Sequence, residues 1–119
     1  MLVRERFSRA LVFEPRHPGW FTAEAEALFR CWNVQRVAAD PSIVPAARLP
    51  GGAPGLGYLR LHGTPRTYHS PYGPDALPGI AAELTAEPGQ ESWCIFDNTA
   101  SGAALQNAVE IDRLVRPAP

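Results

Sequence analysis

Arg60 and His62 stand two residues apart in the stretch Gly57-Tyr58-Leu59-Arg60-Leu61-His62-Gly63, and they are the side chains best suited to chemistry in this chain. Tyr58, Leu59 and Leu61 favour a strand over residues 57–62, bracketed by glycines, and a strand puts Arg60 and His62 on one face. An arginine fixed there can hold a carboxylate or phosphate through two parallel hydrogen bonds. A histidine at the strand's end can act as general acid or base, with Glu14 or Asp97 to orient it. The competing reading is a buried ion pair of Arg60 with an acid, with His62 hydrogen-bonded to backbone. Both readings need partners nearby, because burying a charge alone is costly.

Further candidates flank this pair. Glu14 and Arg16 share a strand-end face, and form either a ligand-binding couple or a salt bridge that orders the loop. His17, set among prolines, is either a loop cap or a ligand contact. Arg66, Tyr68, His69 and Tyr72 follow the central strand on a long loop, where Tyr68 is placed to touch a substrate and loop packing is the alternative. Asp97-Asn98-Thr99 ends another strand. Asn98 is a candidate ligand contact there, the amides of Ser101 and Gly102 could take an anion, and plain helix capping by Thr99 or Ser101 is the simpler reading. His17, His62, Glu14 and Asp97 show no compact ligand spacing, so no metal is assigned. No cofactor is called for.

The elements that must position these residues follow from periodicity and from the breakers between them. Residues 1–8 are charged and irregular, the end of a helix or a frayed lead-in. A short apolar run at 9–14 reads as a buried strand, stopped by Pro15 and Pro18. Thr22 is a plausible N-cap for a helix over 23–32. A weaker strand at 35–39 ends at Asp40-Pro41, and 41–55, rich in Pro, Gly and Ala, reads as a long loop. After the strand at 57–62 come a turn-rich segment at 63–74, a helix at about 75–86, a strand at 92–96 and a helix at about 102–115, with a closing Pro-Ala-Pro at 117–119. Along that last helix Leu105, Ala108, Val109 and Val115 form the expected apolar stripe, narrowed by Asp112. Strands alternating with helices argue for an α/β fold with a parallel sheet, and in such sheets the loops after the strands form the ligand face. Here each of those loops is polar.

At 119 residues the chain has the length of one domain, 1–119. Its net charge of −1 gives no bulk attraction to an anionic membrane and argues against nucleic acid as a partner. All eleven positive charges are arginine, so Schiff-base chemistry and a P-loop lysine are excluded within these residues. Cys31 and Cys94 read as buried free thiols of a reducing compartment. No run approaches the ~18 apolar residues of a membrane span, and the expected location is cytoplasmic.

Three segments together resemble the YecE-like family, long labelled domain of unknown function 72. They are Phe13-Glu14-Pro15-Arg16-His17-Pro18-Gly19-Trp20, then Tyr58-Leu59-Arg60-Leu61-His62-Gly63, then Phe96-Asp97-Asn98-Thr99-Ala100-Ser101-Gly102. Pro15 and Gly19 depart from the family's first motif. The resemblance implies a TIM barrel of roughly twice this length, of which the chain is the C-terminal half, starting at about the fifth of eight strands. It therefore implies parallel βα repeats with two open edges, to be closed by a second copy (a homodimer) or by a separately encoded N-terminal half. The function expected is an enzyme acting on a small anionic molecule, phosphate or carboxylate. Arg16 and Arg60 would bind the anion, Glu14 and His62 would move protons, and Asp97 would orient. The rival is a truncated, non-catalytic module that only binds ligand or pairs with another chain.

Overall fold

A computed structural model describes residues 2–116 as a mixed α/β fold. The closing Pro-Ala-Pro at 117–119 lies outside the described residues. The order is α1 (Leu2–Arg6), β1 (Val12–Phe13), α2 (Ala23–Cys31), β2 (Gln35–Arg36), β3 (Ala38–Asp40), β4 (Gly51–Gly52), β5 (Leu56–Leu61), α3 (Leu77–Leu84), β6 (Glu91–Phe96) and α4 (Ala103–Val115), with short 3-10 turns at Pro18–Trp20 and Pro45–Arg48. The ambiguous N-terminal segment is thus a short helix. The first strand is only two residues long, because its flanking residues leave the ladder before Pro15.

Strands β1 and β2 are parallel, and so are β3, β5 and β6 in that order. Only Val37 separates β2 from β3, and its N–H donates to the Phe13 carbonyl. The run β1, β2–β3, β5, β6 is therefore a series of parallel neighbours. The segment expected to be a plain loop at 41–55 instead contains a 3-10 turn and β4, which lies antiparallel to β2. Gly52 makes that pairing possible: its φ is 76°, and a Cβ there would run into the Val34 carbonyl.

The pairing register sorts side chains onto two faces. Ala38, Leu59 and Cys94 are in register, as are Asp40, Leu61 and Phe96. This face meets the helices, where Leu59, Leu61, Leu77, Ile80, Ala81 and Ile111 form the buried core. Thr22 does cap α2, its hydroxyl accepting from the Ala25 N–H at 3.2 Å. Pro78 sits in the first turn of α3, where a missing N–H costs nothing. The stripe expected along α4 is displaced: Leu105 and Val109 are exposed, and the buried positions are Asn107 and Ile111. The apolar pattern misleads there because a buried asparagine, with hydrogen bonds to make, takes the core position in place of a leucine. Cys31 is exposed rather than buried, whereas Cys94 is half-buried, and its thiol is pushed up to about 12, chiefly by burial. No helix among the described residues is long and apolar enough to cross a membrane.

Candidate functional site at the carboxyl ends of the strands

The opposite face carries Arg60, in register with Ala39 and Ile95. By the same alternation Glu14 follows Val12, His62 follows Arg60, and Asp97 follows Ile95. Each of these three residues comes immediately after a strand's last residue, so β1, β5 and β6 each deliver one side chain to a common point. There they form a closed ring. Arg60 Nη1 donates to Glu14 Oε2 at 3.1 Å and Nη2 to Asp97 Oδ2 at 2.8 Å. His62 Nε2 lies 2.8 Å from Glu14 Oε1, and Nδ1 lies 2.9 Å from Asp97 Oδ2. Arg16 Nη2 adds an outer contact to Glu14 Oε2 at 3.3 Å.

Exposure is graded across this cluster. The His62 side chain is 2% exposed and Glu14 11%, while Asp97 and Arg60 are about a third exposed and Arg16 is 55% exposed. At the centre the buried Glu14 and the partly exposed Asp97 accept from Arg60 and flank His62, which is how a charge cluster offsets the cost of leaving water. Both oxygens of Glu14 and both nitrogens of His62 are used. Asp97 Oδ1 has no partner among the described residues, and Arg16 keeps about half of its side chain in solvent.

The loop after His62 builds a wall beside this ring. Gly63 takes φ 100°, with the Arg66 and Ser70 carbonyls close to where a Cβ would sit, so the chain turns at once. Tyr68 has φ 67°, a region that bulky residues rarely enter. Its N–H donates to the His62 carbonyl and its carbonyl accepts from Ala100, which holds the residue in place. Its exposed ring meets the His62 ring edge-on, with centroids 5.8 Å apart.

Of the residues singled out from sequence, Glu14, Arg16, Arg60, His62 and Asp97 converge, and Tyr68 stands against them. His17 and Asn98 are not brought into the cluster. The exposed His17 uses Nδ1 to accept from the Gly19 N–H at 3.0 Å, capping the turn at Pro18–Trp20. Asn98 is wholly buried, and its amide donates to the Ser70 carbonyl and to Asn107 Oδ1, each at 3.0 Å. The expected capping of the last helix by Thr99 or Ser101 does not occur. Gly102 is the residue before α4, with φ 79° and no side-chain cap, and the Ser101 hydroxyl donates to the His69 carbonyl at 2.7 Å.

Sequence reading missed a second polar network on the helix side of the sheet. Asp40 Oδ2 accepts from the Tyr72 hydroxyl at 2.7 Å and from the Thr64 hydroxyl at 2.7 Å. The Tyr72 hydroxyl accepts from the Gly63 N–H at 3.0 Å, while Asn107 pairs with both the N–H and the carbonyl of Tyr72. Burial and the adjacent Asp40 push the Tyr72 phenol well above its usual range. The available signal was strand parity: Asp40 is in register with Leu61, on the face away from Arg60.

Polar side chains gathered beyond the carboxyl ends of parallel strands, with helices packed on one face, define an α/β protein with its candidate site at the usual edge of such a sheet. The family model for DUF72, a protein family of unknown function, matches residues 2–119, and the chain belongs to that family. In fold it is similar to a DUF72 family protein from Thermotoga maritima, with a TM-score of 0.77 and 21% identity over 95% of this chain and 48% of that one. A DUF72 family protein from Enterococcus faecalis is similar too, with a TM-score of 0.75 and 19% identity over 98% of this chain and 53% of the other. The chain thus spans about half the length of the solved structures it matches. No curated protein matches it.

Proposed function

We propose that this chain carries an acid/base site for a small anionic substrate, bearing phosphate or carboxylate, at the carboxyl ends of its strands. The observation that supports this most is the graded ring. A buried His62–Glu14 centre holds a partly exposed Asp97 and Arg60, with the exposed Arg16 beside them. A cluster built only for stability has no need of an acceptor and a cation left facing water. The geometry favours a division of labour in which Arg16, with the remaining N–H groups of Arg60, receives the anion. Asp97 then exchanges the proton through its unpartnered oxygen. His62 has both nitrogens committed to carboxylates, so it positions Asp97, and Glu14 anchors the ring.

The rival reading is a non-catalytic module, and one observation favours it: both terminal nitrogens of Arg60 are already taken by the chain's own carboxylates. A screen of the intact protein against phosphate esters and carboxylic acids separates the two. The enzyme reading expects turnover that Asp97→Asn reduces by about two orders of magnitude, the scale of a lost proton-transfer group, and that His62→Gln reduces to a smaller extent by misplacing Asp97. Binding without turnover in the wild type, or turnover untouched by both substitutions, rules it out.

We also infer that residues 1–119 form half of a closed parallel barrel. Among the described residues strands β1 and β6 are unpaired on their outer edges, and the face bearing Arg60 is open enough that Tyr58 and Trp93 stack at its surface, with centroids 6.4 Å apart. A second copy, or a separately encoded half, would cover both edges and that face. The two free thiols suit a reducing cytoplasm. Mass measurement by light scattering tests closure: a stable complex of this chain with a second half is expected, and a monomer that unfolds cooperatively contradicts it.

A further inference from the structure

The valences left over at the site say more than that its ligand is an anion. We infer that the ligand is a small hydroxylated anion, a phosphate ester or carboxylate with a hydroxyl on its short carbon chain. This rests on the anion-site reading above.

Arg16 and Arg60 both contact Glu14 Oε2, at 3.3 and 3.1 Å, so their guanidinium groups meet at one carboxylate oxygen. Arg60 reaches Asp97 Oδ2 with its other terminal nitrogen at 2.8 Å, which puts Asp97 beside the Arg60 guanidinium. Each arginine retains N–H donors, since a guanidinium has five and these contacts use few of them. These donors are the anion's seat. Asp97 Oδ1, by contrast, is a carboxylate oxygen that can only accept. It repels a bare anion placed against it, and it lacks a donor that the protein does not supply. A ligand with negative charge at one end and an O–H on a nearby carbon satisfies both at once. The exposed Tyr68 ring, held beside His62, provides an apolar side for the short carbon skeleton between them.

Four probes on the intact protein at pH 8 test this by calorimetry: ethyl phosphate, acetate, 2-hydroxyethyl phosphate and glycolate, two pairs that each differ by one hydroxyl. The expected result is that each hydroxylated probe binds about tenfold more tightly than its plain counterpart, the scale of one hydrogen bond to a charged acceptor. The better of the two pairs tells whether phosphate or carboxylate is the seated group. Asp97→Asn preserves an oxygen for Arg60 and His62 while replacing the outward acceptor by a donor. It should abolish the tenfold preference and leave ethyl phosphate bound at least as well. Arg16→Ala should weaken all four probes together. Equal binding of plain and hydroxylated probes overturns the hydroxyl inference while the anion site stands. No binding of any probe by a variant-independent, folded protein overturns both. A tenfold preference that survives Asp97→Asn assigns the hydroxyl to another residue and also overturns the inference.

Discussion

Two polar clusters lie on opposite faces of the same strands, and they are finished differently. On the helix face, Asp40, Thr64, Tyr72 and Asn107 hydrogen-bond to one another and to backbone around the buried Tyr72 and Asn107. On the other face, Glu14, Arg60, His62 and Asp97 close a ring whose inner half is saturated and whose outer half is not. The first cluster ties the loop after β5 to α4 and ends there. The second has the same kind of buried anchor but presents an acceptor and a cation to solvent. Buried polar groups are satisfied when their task is to hold a fold together. Asn98 Oδ1 in the first cluster also lacks a partner but is buried, so it is the solvent-facing side of the second cluster that supports reading it as the candidate site.

The largest effect should come from its centre. Glu14→Ala leaves His62, Arg60 and Arg16 without their shared carboxylate and should cost about 3 kcal/mol in urea unfolding, the scale of breaking a buried ion pair. A loss below about 1 kcal/mol would mean that the ring does not anchor the strand ends. Asn107→Ala should cost about 2 kcal/mol by orphaning the Tyr72 backbone and the Asn98 amide, with anion binding retained. If binding is lost as well, the two clusters are one unit.

Tyr72→Phe should cost about 1 kcal/mol at neutral pH. Because the folded phenol is raised above its unfolded value, the stability it contributes is whole below about pH 10 and is lost as pH rises beyond it. The substitution should therefore flatten the alkaline limb of the stability profile, and an unchanged limb would show that the hydroxyl is not held as described. The smallest effect on stability is expected at the outer edge: Arg16→Ala should change it by less than about 0.5 kcal/mol, as an exposed pair does, while removing most anion affinity. In the same spirit, a thiol reagent at pH 8 should label the exposed Cys31 at once. Cys94, pushed up to about 12, should react only as the fold opens.

Much of this was legible in the sequence because period-two alternation carries across a sheet. Arg60 and His62 share a face by spacing alone, and Glu14 and Asp97 were legible as polar residues at the ends of other strands, their face being fixed only by the pairing register. The helices at α2, α3 and α4 followed from periodicity and breakers, and Thr22 from cap chemistry. What was hidden depended on tertiary choices. Asn107 in a core position cannot be foreseen from an apolar stripe, because its burial is justified only by the backbone of Tyr72 lying opposite. Asn98, next to a site residue, has the type of a ligand contact but points into that same network. The pairing of Gly51 and Gly52 with β2 had no side-chain pattern to announce it.

The claim that the outer half of the charged ring is the binding site is tested most directly by nuclear magnetic resonance of the intact protein titrated with glycerol 3-phosphate. The account predicts shifts confined to the guanidinium signals of Arg16 and Arg60 and the backbone amides around Asp97 and Tyr68, with Tyr72 and Asn107 unmoved. Saturable shifts centred anywhere else on the chain, with the Arg16 and Arg60 signals unchanged, would contradict it.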